Sequence, residues 1–105
     1  MDSNGTVAAG NFGDGINDGS QGLVTIGGLV PAARNIIAAN GLNGIATFFA
    51  IEGSIIGNHI GTDISGVQDF GNGGEGISFF ASLNYSVGGS VPGSSNIIAF
   101  NAMTV

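Results

Sequence analysis

Short apolar runs of strand length follow one another along the chain, separated by Gly, Asn, Asp, Ser and Pro. No run continues at the 3.6-residue spacing of an amphipathic helix, and 21 glycines among 105 residues oppose helix formation. The separating residues supply the positive or fixed φ angles that turns require. The pattern therefore predicts an all-β chain. Its apolar runs span residues 23–26, 35–38, 45–49, 54–57, 77–80, 85–87 and 96–100.

The chain also repeats itself at a spacing of 61 residues. Residues 2–44 align without a gap on residues 63–105, and 16 of the 43 pairs are identical. Within this repeat a Gly-Ile pair recurs at Gly15, Gly44 and Gly76, in steps of 29 and 32 residues. Such self-similarity indicates units that bury their apolar faces only against neighbouring units.

A parallel β-helix, or β-solenoid, explains this repetition better than the other all-β architectures. A sandwich does not predict gapless repetition, and a propeller needs blades of about 40–50 residues in a closed ring. We predict one domain over residues 1–105 with about three and a half coils of 29–32 residues. It comprises a partial coil over 1–14 and full coils over 15–43, 44–75 and 76–105.

Equivalent residues of successive coils lie above one another in a β-helix, so like residues stack on like. Stacked asparagine amides can hydrogen-bond along the axis, as they do in cross-β ladders. Two columns are predicted: an inward isoleucine column of Ile16, Ile45 and Ile77, and an asparagine ladder of Asn40, Asn58 and Asn101.

The motifs at residues 57–63 (GNHIGTD), 71–77 (GNGGEGI) and 96–98 (NII) resemble a repeat of bacterial secreted and surface proteins. Those proteins fold as right-handed parallel β-helices of the pectate-lyase-like superfold. The resemblance covers essentially the whole chain and implies a right-handed helix with an extracellular or cell-surface location. Residues 1–15 lack the features of a signal peptide. Because this superfold hosts lyases, hydrolases, adhesins and structural stalks, it does not select one function.

Charge and composition narrow the choice of partners. The net charge is -6 with a single Lys or Arg, which excludes the basic footprint of a nucleic-acid-binding protein. No run of 18 apolar residues is present, so no membrane span is predicted. The absence of cysteine excludes disulfides and thiolate metal sites.

Asp63, Asp69 and Glu75 are the candidate calcium ligands, in a loop rich in Gly and Asn. The resemblance implies that a lyase would hold calcium with such carboxylates and use Arg or Lys as its base. Arg34 is the single candidate base, and it lies in a turn far along the chain from this loop. The alternative is that Asp63 closes a turn, which would explain its recurrence as Asp2. We predict no catalytic residue and no cofactor, with calcium as the alternative.

Two Phe-Phe pairs, at residues 48–49 and 79–80, suggest a binding surface. Alternation along a strand sends one ring of each pair inward and the other outward. The outward rings are predicted to form a strip of Phe48, Phe80 and Tyr85 that binds sugar faces or a second solenoid. Packing of the rings under a loop is the alternative. His59 is predicted at a surface aromatic position.

These features favour a non-catalytic structural module that associates with itself or with neighbouring repeats through strand edges or end-to-end stacking. Both ends of the chain fall inside a repeat, so we expect a fragment or a stacking, filament-forming subunit. The alternative is a polysaccharide-binding or polysaccharide-degrading β-helix segment, and carbohydrate would then be the partner.

Overall fold

The structure, a computed structural model, describes residues 8–103. Over this range the regular structure is β, apart from one short 3-10 helix at Pro31–Ala33, as the sequence predicts. Asp2 and the first half of the predicted partial coil 1–14 lie outside the described residues. The strands are β1 (Ile16–Asp18), β2 (Leu23–Gly27), β3 (Ile36–Ile37), β4 (Ile45–Phe48), β5 (Glu52–Ile56), β6 (His59–Ile60), β7 (Ile77–Phe80), β8 (Tyr85–Val87) and β9 (Ile97–Ile98).

Every third strand joins the same sheet, and every pairing is parallel. Sheet A has the order β1-β4-β7, sheet B the order β2-β5-β8 and sheet C the order β3-β6-β9. The chain thus visits the three sheets in the same order three times. We call these visits the first pass (β1–β3), the second pass (β4–β6) and the third pass (β7–β9).

The hydrophobic core lies between the three sheets and consists mainly of isoleucine, whose branched side chain suits strands. In the second pass, whose strands are covered on both sides, the inward isoleucines Ile45, Ile55 and Ile60 are completely buried. Burying each such side chain stabilises the fold by about 1.5–3 kcal/mol. The buried members are Ile26, Ile37, Ile45, Ile55, Ile60 and Ile77.

The long connections change place from one pass to the next. In the first and third passes they lie between sheets B and C, at residues 28–35 and 88–96. In the second pass only Gly57 and Asn58 separate β5 from β6, and the long connection, residues 61–76, follows sheet C. The 61-residue repeat therefore spans two passes, since only every second pass has its connections in the same place.

Candidate functional site

An asparagine ladder crosses all three passes at the end of sheet C. The Asn40 backbone N–H and Nδ2 donate to Asn72 Oδ1 at 3.0 and 2.9 Å. The same two groups of Asn72 donate to Asn101 Oδ1 at 3.1 and 2.8 Å. Asn72 Nδ2 also donates to the carbonyl of Ile37 at 3.2 Å. Asn72 thus binds the backbone of the first pass and the side chain of the third.

A second ladder stands at the start of sheet C and contains Asn58. The Asn35 N–H and Nδ2 both donate to Asn58 Oδ1 at 3.1 Å. Asn58 donates in turn to Asn96 Oδ1, at 2.8 Å from its N–H and 3.2 Å from Nδ2. The predicted placement of Asn58 between Asn40 and Asn101 was therefore wrong, because Asn72 occupies that position.

The missing ladder members were visible in the repeat. Asn72 aligns with Asn11 at 61 residues, and Asn11 donates its N–H to Asn40 Oδ1 at 3.0 Å. Asn35 and Asn96 are likewise a 61-residue pair. The repeat did not reveal that only two residues join β5 to β6. This short connection places Asn58 in the ladder at the start of sheet C.

The isoleucine column runs through sheet A. Ile16 is the register partner of Ile45, and Ile45 is the register partner of Ile77. Ile45 and Ile77 are buried, whereas Ile16, in the first pass, is half-buried. These side chains pack in the interior with the other isoleucines of the core.

The carboxylate of Asp63 closes the loop that follows β6. One of its oxygens accepts hydrogen bonds from Ser65 Oγ at 2.6 Å, from the Ser65 N–H at 3.1 Å and from the Gln68 N–H at 3.2 Å. The bond from the Ser65 hydroxyl is the main reason why the pKa of Asp63 is lowered. These bonds fit the turn-closing role.

The other two calcium candidates make separate contacts. Asp69 Oδ1 accepts the N–H of Gly71 at 3.0 Å, and Glu75 forms a parallel bridge with Met103 through its backbone. Within residues 8–103 no three His, Cys, Asp or Glu side chains come together as a metal-binding group. Asp63, Asp69 and Glu75 do not form a calcium cluster in this arrangement.

Arg34 and His59 occupy different environments. Arg34 is exposed and donates Nε–H to the carbonyl of Gly57 at 3.1 Å. His59 is buried, contrary to the surface position predicted for it. Its Nδ1 lies 3.4 Å from the carbonyl oxygen of Asp63, and Gly66 of the same loop packs close to the ring. The loop over sheet C therefore covers His59.

Three phenylalanines form an exposed cluster on the outside of sheet A. Phe48, Phe49 and Phe80 are 41%, 60% and 55% exposed. Phe80 lies 6.1 Å from Phe48 with a 53° tilt, and 5.3 Å from Phe49 at 85°. The expected inward turn of one ring per pair was wrong at Phe49, because β4 ends at Phe48 and Phe49 has a φ of 53°.

Tyr85 does not belong to this cluster, so the predicted strip was wrong at that residue. The ring of Tyr85 packs against the isoleucine core and lies 5.4 Å from the ring of Phe79. Its hydroxyl donates a hydrogen bond to the carboxylate of Asp18 in the first pass. The side chain therefore points into the molecule and packs in its interior.

No family model, curated protein or solved structure matches this chain. Among the described residues no helix is long and apolar enough to cross a membrane.

Proposed function

We propose that this chain is a right-handed parallel β-helix with a structural, non-catalytic role in a secreted or cell-surface protein. The observation that carries the proposal is the strict stacking of three passes, with the same three sheets and two asparagine ladders. Each pass contacts the next through backbone pairing and side-chain amides, which favours a rigid stack of passes.

The third pass supports self-association, because it exposes interior side chains. Ile55 and Ile60 are fully buried in the second pass. Their register partners Val87 and Ile98 are 44% and 37% exposed. A further layer of strands over the third pass would bury Val87 and Ile98, just as the third pass buries Ile55 and Ile60 of the second pass. We propose that a second copy of this chain supplies that layer.

The backbone and the ladder also favour association at this face. Strands β7, β8 and β9 are edge strands, whose outer N–H and C=O groups can pair with another strand. The ladder has a direction, since Asn40 and Asn72 both donate toward the following pass. Asn101, at the end of this series, is positioned to donate in the same direction.

Carbohydrate binding is the second candidate, and the exposed rings of Phe48, Phe49 and Phe80 favour it. Rings that stack on a sugar chain need to present flat faces side by side. Here Phe80 is tilted by 53° to one neighbour and by 85° to the other. The cluster therefore resembles an apolar patch more than a sugar platform, and the structural role is the better-supported proposal.

Light scattering over a concentration series, with negative-stain images of the same samples, tests the proposal. We expect rods or small oligomers that lengthen with concentration. Val87→Lys places a charge on the exposed third pass and should reduce association. Val67→Lys, in the exposed loop over sheet C, is the matched control and should leave it unchanged. A wild-type protein that stays monomeric at every concentration would overturn the self-association, and binding to a glycan array would favour the second candidate.

A further inference from the structure

Tyr85 crosses the interior from the third pass to the first. In sheet B it is the register partner of Gly53 in β5. A Cβ atom at Gly53 would overlap the tyrosine ring, so the missing side chain leaves the room through which the ring passes. Beyond Gly53 the hydroxyl reaches the carboxylate of Asp18, in β1 of sheet A, and donates a hydrogen bond to it.

Asp18 is prepared to accept this bond. Its side chain is buried, and its other oxygen accepts the N–H of Ser20 at 2.9 Å. Burial by itself would raise the pKa of Asp18, but the hydrogen bonds from Tyr85 and Ser20 outweigh it and lower the pKa. Burial, together with the bond to Asp18 and its charge, raises the pKa of Tyr85 to about 12. Asp18 is the charged group that acts on the phenol.

We propose that the Tyr85–Asp18 pair is an interior tie that joins the first pass to the third and makes the three passes open as one unit. Most contacts in a stacked repeat join nearest neighbours only, so that an end unit can detach by losing one interface. The strand pairings and ladder bonds of this chain are of that kind. The tie skips one pass, so the third pass cannot detach without also breaking a contact to the first. This inference does not depend on self-association.

Native-state hydrogen exchange followed by NMR tests the tie. In the wild type, the most protected amides of all three passes should share one opening free energy. Tyr85→Phe keeps the ring and removes the hydroxyl, and amides of β7–β9 should then exchange about tenfold or more faster than those of β4–β6. Phe80→Leu, on the outside of the third pass, is the control and should preserve the common opening. A wild type that opens pass by pass, or a Tyr85→Phe profile equal to the wild type, would overturn the tie.

A second measurement starts from the wild type. The chain has one tyrosine and no tryptophan, so the phenolate absorbance of the native protein reports Tyr85 alone. The folded wild type should titrate near pH 12, and Asp18→Asn should move the midpoint back toward the ordinary value of about 10. A wild-type midpoint near 10 in protein that is still folded would show that the pair does not form.

Discussion

Removing the amide of Asn72 should be among the more destabilising single changes in this chain. Asn72 is 2% exposed and stands in the middle of its ladder. Asn72→Ala deletes the acceptor of both Asn40 donors and the donor to the Ile37 carbonyl. Asn101 Oδ1 loses the hydrogen bond from the side chain at position 72 but still accepts the backbone N–H of that residue.

The expected magnitude follows from the two Asn40 donors. Both are left without an acceptor in a buried region, whereas the Ile37 carbonyl still accepts the Gly61 N–H at 2.9 Å. At about 1–1.5 kcal/mol for each donor, the free energy of unfolding should fall by about 2–3 kcal/mol. That is a large part of the total stability of a small domain, about 5–15 kcal/mol.

Urea unfolding followed by far-UV circular dichroism measures this loss, provided the m-value is unchanged. The matched control is Asn17→Ala, which removes an exposed amide with one bond, to Asp14 Oδ2 at 3.2 Å. The control should change the free energy by less than about 0.5 kcal/mol. Equal effects of the two substitutions would show that the ladder does not stabilise the fold.

Three further predictions concern the interior and the turns. Gly53→Ala should cost about 1–3 kcal/mol of unfolding free energy, because its Cβ overlaps the Tyr85 ring, whereas Gly22→Ala, in open space, should cost much less. Ala81→Gly should raise the thermal midpoint slightly, since Ala81 has a φ of 51° that costs an L-residue about 1–2 kcal/mol, partly offset by glycine entropy. Stability should depend on pH at both extremes in urea titrations. The raised pKa of Tyr85 stabilises the fold below about pH 10, and this contribution is lost as the pH rises toward 12. The lowered pKa of Asp18 stabilises the fold above about pH 3.8, and this contribution is lost below it. Tyr85→Phe should remove the alkaline dependence; an unchanged alkaline profile in that variant would contradict the assignment.

The sequence pattern was sufficient for the strand content and for much of the placement of strands. The run at 23–26 corresponds to Leu23–Gly27, and the run at 45–49 to Ile45–Phe48. The pattern missed His59–Ile60 as a strand of its own, because only two residues separate it from the preceding strand. The connection is Gly57-Asn58 alone, which is shorter than the clusters of about 3–6 turn residues that mark a loop.

The errors in the candidate site have conformational causes. Phe49 was assigned by strand alternation, which fails where the backbone enters the left-handed region. Tyr85 was assigned to the surface because nothing near it in sequence shows the space that Gly53 provides. The Tyr85 error concerns a contact between passes, which strand register sets. Because the connections differ in length from pass to pass, the spacing in sequence between register partners changes as well.

The alternation of the long connections leaves the stacked interior continuous. The asparagine ladders remain continuous although Asn58 follows Asn35 by 23 residues and Asn96 follows Asn58 by 38. Position in the ladder is therefore fixed by strand register and not by distance along the chain. It follows that connections can vary in length and sequence without disturbing the stacked interior. We expect the columns to determine the rigidity of the stack and the connections, such as the loop over His59, to tolerate changes in length and sequence.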